Sequence, residues 1–183
     1  MTLEEAKEFY FRYHGSSFHM DREEPEKYYC FRSLNPAKET LKKWDEELLE
    51  GFFEDFRLDS KQNWAVHAQI LQTIQRGNCD REMYLKRLLE EMEKTADSDL
   101  FNTTLIIENM AGRNGLMTDG GVCLICRYSD LKEKMNSVME KIITECERNQ
   151  NVNERFEKAV DSYRKACLKW NPTALQKNTS VGS

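Results

Sequence analysis

Residues 36–57 read PAKETLKKWDEELLEGFFEDFR, and their period decides the fold. Leu41, Trp44, Leu48, Phe52 and Phe56 recur three or four residues apart, and Leu49 and Phe53 widen the stripe. That spacing is the signature of an amphipathic α-helix. Asn35-Pro36 provides a cap followed by proline at the first helical position. Glu39 with Lys43, Lys42 with Glu46 and Lys43 with Glu47 are i,i+4 pairs on the other side. The acidic run Asp45-Glu46-Glu47 reads as a solvated face, as does Glu90-Glu91.

The same period extends outward in both directions. Upstream, Thr2-Leu-Glu-Glu5 is a capping box, followed by Leu3, Ala6, Phe9, Tyr10 and Tyr13 at helical spacing until Gly15. Residues 15–24 read as a polar loop, and Pro25 opens a short helix to Arg32. Downstream, Asp59-Ser60 caps a helix over 60–76 carrying Trp64, His67, Leu71 and Ile74, ended by Arg76-Gly77. Asp80 opens 80–95 with Tyr84, Leu85, Leu88, Leu89 and Met92, and Asp97-Ser98 caps 98–111. Ser129-Asp130 caps 130–149, with Leu131, Met135, Val138, Ile142 and Cys146 on one face. After the turn 149–153, a last helix over 152–170 carries Phe156, Tyr163, Cys167 and Trp170 until Asn171-Pro172.

The texture changes only at 112–121, where Gly112, Gly115, Gly120 and Gly121 hold half of the chain's 8 Gly. Asp119-Gly120-Gly121 is turn chemistry between Leu116-Met-Thr118 and Val122-Cys-Leu124, which favours a small β-hairpin near 116–125. An irregular loop leading into a buried segment is the competing reading, and a strand over 103–107 pairing with 122–128 ranks behind both.

The composition agrees with helices. Gly and Pro together number 11 in 183 residues, about half the usual share. Leu outnumbers Val and Ile combined, 17 to 13. The expectation is all-α: six or seven amphipathic helices in antiparallel pairs, within one domain over 1–172. Residues 1–35 form an aromatic-rich N-terminal part, 36–170 form helix pairs, and 173–183 form a flexible polar tail. Pair starts near 36, 80 and 130 resemble the spacing of HEAT-type helical repeats, with no repeated residue pattern between them. An irregular bundle explains the same pattern.

Charge and composition narrow the function. Net charge is −5, with 9 basic and 15 acidic residues in 1–60. No basic run exceeds two residues, which argues against a nucleic-acid surface. No 18-residue apolar stretch exists to cross a bilayer. The acidic N-terminus lacks the form of a signal peptide, so a cytoplasmic protein with reduced cysteines is expected. Asn102 and Asn178 head glycosylation-type triplets, which are then chance matches.

Four constellations carry the chemistry. Eight aromatics fall within 9–31, denser than the chain as a whole, and they serve either as the core of short N-terminal helices folded over the next one or as a partner surface. They point to a non-catalytic interaction module that binds a protein or peptide through an aromatic, acidic N-terminal surface. Tyr10, Tyr13, His14, Phe18, His19, Tyr28 and Tyr29 are the expected contacts. Cys123-Leu-Ile-Cys126 supports the alternative, a thiol-redox or metal-binding protein, although no second ligand pair follows it. His14, His19 and Asp21 lie in one loop and are metal-type ligands without a supporting framework. Arg113 and Asn114 are the polar hands of the Gly-rich loop, which matches no phosphate-binding fingerprint. His67 lies on an apolar face and reads as a core histidine. No cofactor is implied.

Overall fold

The structure, a computed structural model, describes residues 1–58, 63–94, 99–112 and 120–170. Among the described residues every regular element is an α-helix. They are α1 (Leu3–Arg12), α2 (Ser17–Glu23), α3 (Pro25–Leu34), α4 (Lys38–Leu58), α5 (Asn63–Arg76), α6 (Arg81–Lys94), α7 (Leu100–Ala111), α8 (Gly120–Ile125), α9 (Ser129–Asn149) and α10 (Glu154–Lys169). No helix among them is long and apolar enough to cross a membrane.

The ten helices among the described residues exceed the expected six or seven, and two of them stand where no helix was expected. Ser17–Glu23, expected as polar loop, coils into α2 and buries only Met20. Gly120–Ile125, expected as the second arm of a hairpin, is α8 and is wholly buried. Its glycines are used for close approach. Gly120 sits at φ +67, and a Cβ there would stand 2.7 Å from the Gly112 nitrogen. A Cβ on Gly121 would meet the Met110 sulfur at 2.6 Å. The absent side chains let α8 lie directly on the end of α7. The first hairpin arm, Arg113, Asn114, the caps at 59–60 and 97–98, the stop at 171–172, Asn178 and the tail 173–183 lie outside the described residues.

Helix α7 is the axis of the core. All residues from Asn102 to Met110 are buried, which explains why LFNTTLIIENMA lacks a polar face. It packs most closely on α10 and α5, and also on α8 and α9. Residues 103–107 are thus a buried helix, and among the described residues no strand pairs with 122–128. Polar groups on α7 tie it to its neighbours. Asn102 Oδ1 accepts the Trp64 N–H at 2.8 Å, and Asn109 Nδ2 donates to the Trp64 carbonyl at 2.9 Å. Glu108 binds Arg155 of α10 through two 2.9 Å bonds.

The start of α1 matches its expected cap, and α7 and α10 are capped by residues the local reading did not single out. Thr2 and Glu5 form the capping box, with bonds of 3.2 and 2.7 Å. Asp99 caps α7 through the Asn102 N–H, and Asn153 caps α10 through the Phe156 N–H. Lys7 of α1 reaches Glu47 of α4 at 2.8 Å, tying the N-terminal helices to the bundle.

Candidate functional site

The N-terminal surface is built by a sharp reversal after α1. His14 and Gly15 both take positive φ, +48 and +66. The Gly15 N–H returns to the Tyr10 carbonyl at 2.7 Å. A side chain at Gly15 would collide with the Tyr10 ring at 2.4 Å, so only glycine fits. The turn sends α2 away from α1 and sets the His14 ring edge-on to Phe52 at 5.1 Å.

Beneath the turn lies a buried polar group. The Tyr10 hydroxyl donates to Asp45 Oδ1 at 2.5 Å, and Asp45 Oδ2 accepts the Asn78 N–H at 2.9 Å. Asp45 is fully buried, so it does not belong to a solvated face. Glu91, 6% exposed and bridged to Lys94, departs from the same expectation. The period held the signal for Asp45: it falls four residues from both Leu41 and Leu49, inside the apolar stripe. Arg76 Nη2 donates to Thr73 Oγ1 at 3.3 Å, while its Nε and Nη1 are buried and find no hydrogen-bond partner among the described residues. Burial holds the Arg76 guanidinium below its ordinary pKa, opposed by the nearby Asp45 carboxylate. Burial, and then the Arg76 charge, lowers the His14 pKa. Burial raises the Cys79 thiol to about 11, with Asp45 adding to the effect.

The expected contact residues separate into three groups. Tyr10 is 6% exposed and stacks among Phe31 and Trp44 at centroid distances of 6.0 and 5.5 Å. It is core, held there by its bond to Asp45, and offers nothing to a partner. Tyr13, His14 and His19 come together around one pocket of about 270 Å³. Its opposite wall is α5, with Trp64, Gln69 and Gln72, which carry no local signal for this position. Tyr13 donates to Glu24 Oε2 at 2.9 Å, and His19 Nδ1 lies 3.5 Å from Glu23. Phe18 stands beside this pocket, edge-on to His19 at 5.4 Å and 65% exposed. On α3, Tyr29 is 74% exposed and Tyr28 is half-buried against the core.

The cysteine pair has a different setting. Cys123 is buried within α8, and Cys126 follows it half-buried. Burial raises the Cys126 thiol pKa, the opposite of what an attacking thiolate needs. All six cysteines are unpaired. Among the described residues no three His, Cys, Asp or Glu side chains form a group able to hold a metal, so His14, His19 and Asp21 do not converge as ligands.

No family model, no curated protein and no solved structure matches this chain.

Proposed function

We propose that the protein is a non-catalytic interaction module whose N-terminal helices, α1–α3, dock a protein or peptide partner. Tyr13, His14, Phe18, His19, Tyr28 and Tyr29 are the contact residues. One observation carries the reading. Helices α2 and α3 each bury a single residue, Met20 and Phe31, while Phe18 and Tyr29 stand 65% and 74% exposed. The fold gains little from these two helices, and large exposed rings are the anchors that interfaces favour. A cytoplasmic setting belongs to the same proposal, supported by six unpaired thiols.

A photoreactive amino acid replacing Phe18 or Tyr29 in the full-length protein, irradiated in its host cells, tests this. Discrete adducts from those positions, and none from the same probe replacing Lys165 on α10, support the reading. Identical adduct patterns from all three positions overturn it.

A further inference from the structure

Residues of α1 and α3 line a second concavity on the N-terminal face, a groove of about 460 Å³. Phe9 closes its floor, and Met1 and Cys30 give it apolar sides. Five charged side chains line it: Glu5, Glu8, Arg12, Glu26 and Lys27. How these charges are paired decides what the groove attracts.

Both cations are already engaged outside it. Arg12 and Lys27 converge on Glu24, at 2.9 and 2.5 Å. The Tyr13 hydroxyl joins the same carboxylate. These contacts hold Glu24 below its ordinary pKa, so it stays ionised and keeps both cations. Glu5 is committed to the capping box, where its bonds to Thr2 also lower its pKa. Among the described residues no cation pairs with Glu8 or Glu26, one on each helix. The groove is thus an apolar trough with an unpaired carboxylate on each bank.

We propose that this groove seats a basic amphipathic segment of a partner protein. One aliphatic or aromatic side chain would lie over Phe9 and Cys30, and Lys or Arg on either side would pair with Glu8 and Glu26. The proposal rests on the docking role of the N-terminal helices and names the chemistry of their partner. Charge complementarity selects it: a nucleic acid or an anionic lipid surface would meet repulsion at both banks. An acidic or purely apolar peptide would leave Glu8 and Glu26 without partners.

Cys30 is an exposed thiol inside the groove, which makes it a reporter of occupancy. The probes are a synthetic Leu/Lys amphipathic helical peptide and its Leu/Glu counterpart, added to the intact protein. The readouts are fluorescence anisotropy of the peptide and the rate of Cys30 alkylation. The Leu/Lys peptide is expected to bind and slow alkylation of Cys30, and the Leu/Glu peptide to do neither. The double variant Glu8→Gln with Glu26→Gln should weaken binding about fivefold, two exposed ion pairs' worth. Glu133→Gln with Glu157→Gln, far along the chain on α9 and α10, should leave affinity unchanged. Equal binding to both variants, or binding without protection of Cys30, overturns the groove as the site. No binding of the Leu/Lys peptide also overturns it. The crosslinks from Phe18 and Tyr29 decide the docking role separately, because they require no basic segment.

Discussion

Tyr10 and Asp45, 35 residues apart in sequence, share a buried 2.5 Å hydrogen bond that fastens α1 to α4. The carboxylate accepts a second bond from the Asn78 N–H at 2.9 Å, so one side chain ties α1, α4 and the segment after α5. Burial, and then this bond, pushes the Tyr10 hydroxyl well above its ordinary pKa and keeps it a donor. Replacing Tyr10 with Phe leaves a buried carboxylate oxygen without its donor. Stability should fall by about 2 kcal/mol in urea unfolding. A double-mutant cycle with Asp45→Asn should show strong coupling, and additive losses would show that the bond contributes little.

His67 makes stability depend on pH. It is fully buried between α5 and α7, with its Nδ1 3.3 Å from Asn109 Nδ2. Taking the amide as donor assigns the ring proton to Nε2. Burial lowers its pKa from 6.5 to about 3. The unfolded chain therefore binds one more proton than the folded protein between those values. This contribution to stability is complete above pH 6.5 and is lost as pH falls toward 3. The loss is about 1.4 kcal/mol per pH unit. His67→Gln should flatten that acid limb, whatever it does to stability at neutral pH. An unchanged slope in the variant would show that another group controls the limb.

Arg155 neutralises Glu108, which is 6% exposed at the α7–α10 contact. The fork of two 2.9 Å bonds requires a planar guanidinium. Arg155→Ala leaves that carboxylate nearly buried and unpaired. Allowing for the exposure of Arg155, it should cost about 1–2 kcal/mol in thermal or urea unfolding. Arg155→Lys should recover only part of this, and full recovery would mean that charge alone matters.

Two glycines should respond oppositely to alanine. Gly15→Ala forces a side chain at φ +66 into the Tyr10 ring and should cost about 2 kcal/mol or more. Gly51 is exposed in the middle of α4 with nothing within 4 Å of a new Cβ. Gly51→Ala should stabilise by about 0.5–1 kcal/mol. A loss of stability there would show that α4 needs a bend at that point.

The thiols should react in order of exposure. Cys30 is exposed, whereas burial raises the pKa of Cys126 and Cys167. Peptide mapping after brief iodoacetamide treatment of the native protein should find Cys30 modified first and Cys126 slowly. Rapid modification of Cys126 would restore the thiol-redox alternative for Cys123 and Cys126.

The sequence by itself determined the helical class and most helix positions. Apolar spacing of three and four is a local property, and so are the capping box at Thr2 and the proline opening α3. The period of α4 was legible from Leu41 to Phe56 because each turn repeats the same choice. Its reading failed where a polar residue broke the binary pattern for a distant partner. Asp45 looks like surface in a charged run, and only Tyr10 and Asn78, brought to it by folding, make its burial affordable. The same limit applied to α8, whose paired glycines serve as turn formers or as a place for another helix to rest. Met110 and Gly112 settle which. Which aromatic rings face the core was likewise a tertiary matter. Tyr10 and Tyr29 are the same residue type on short helices, yet one is 6% and the other 74% exposed. Local sequence sets how the chain coils, but exposure depends on which helices cover which faces, and that is decided by contacts far apart in the chain.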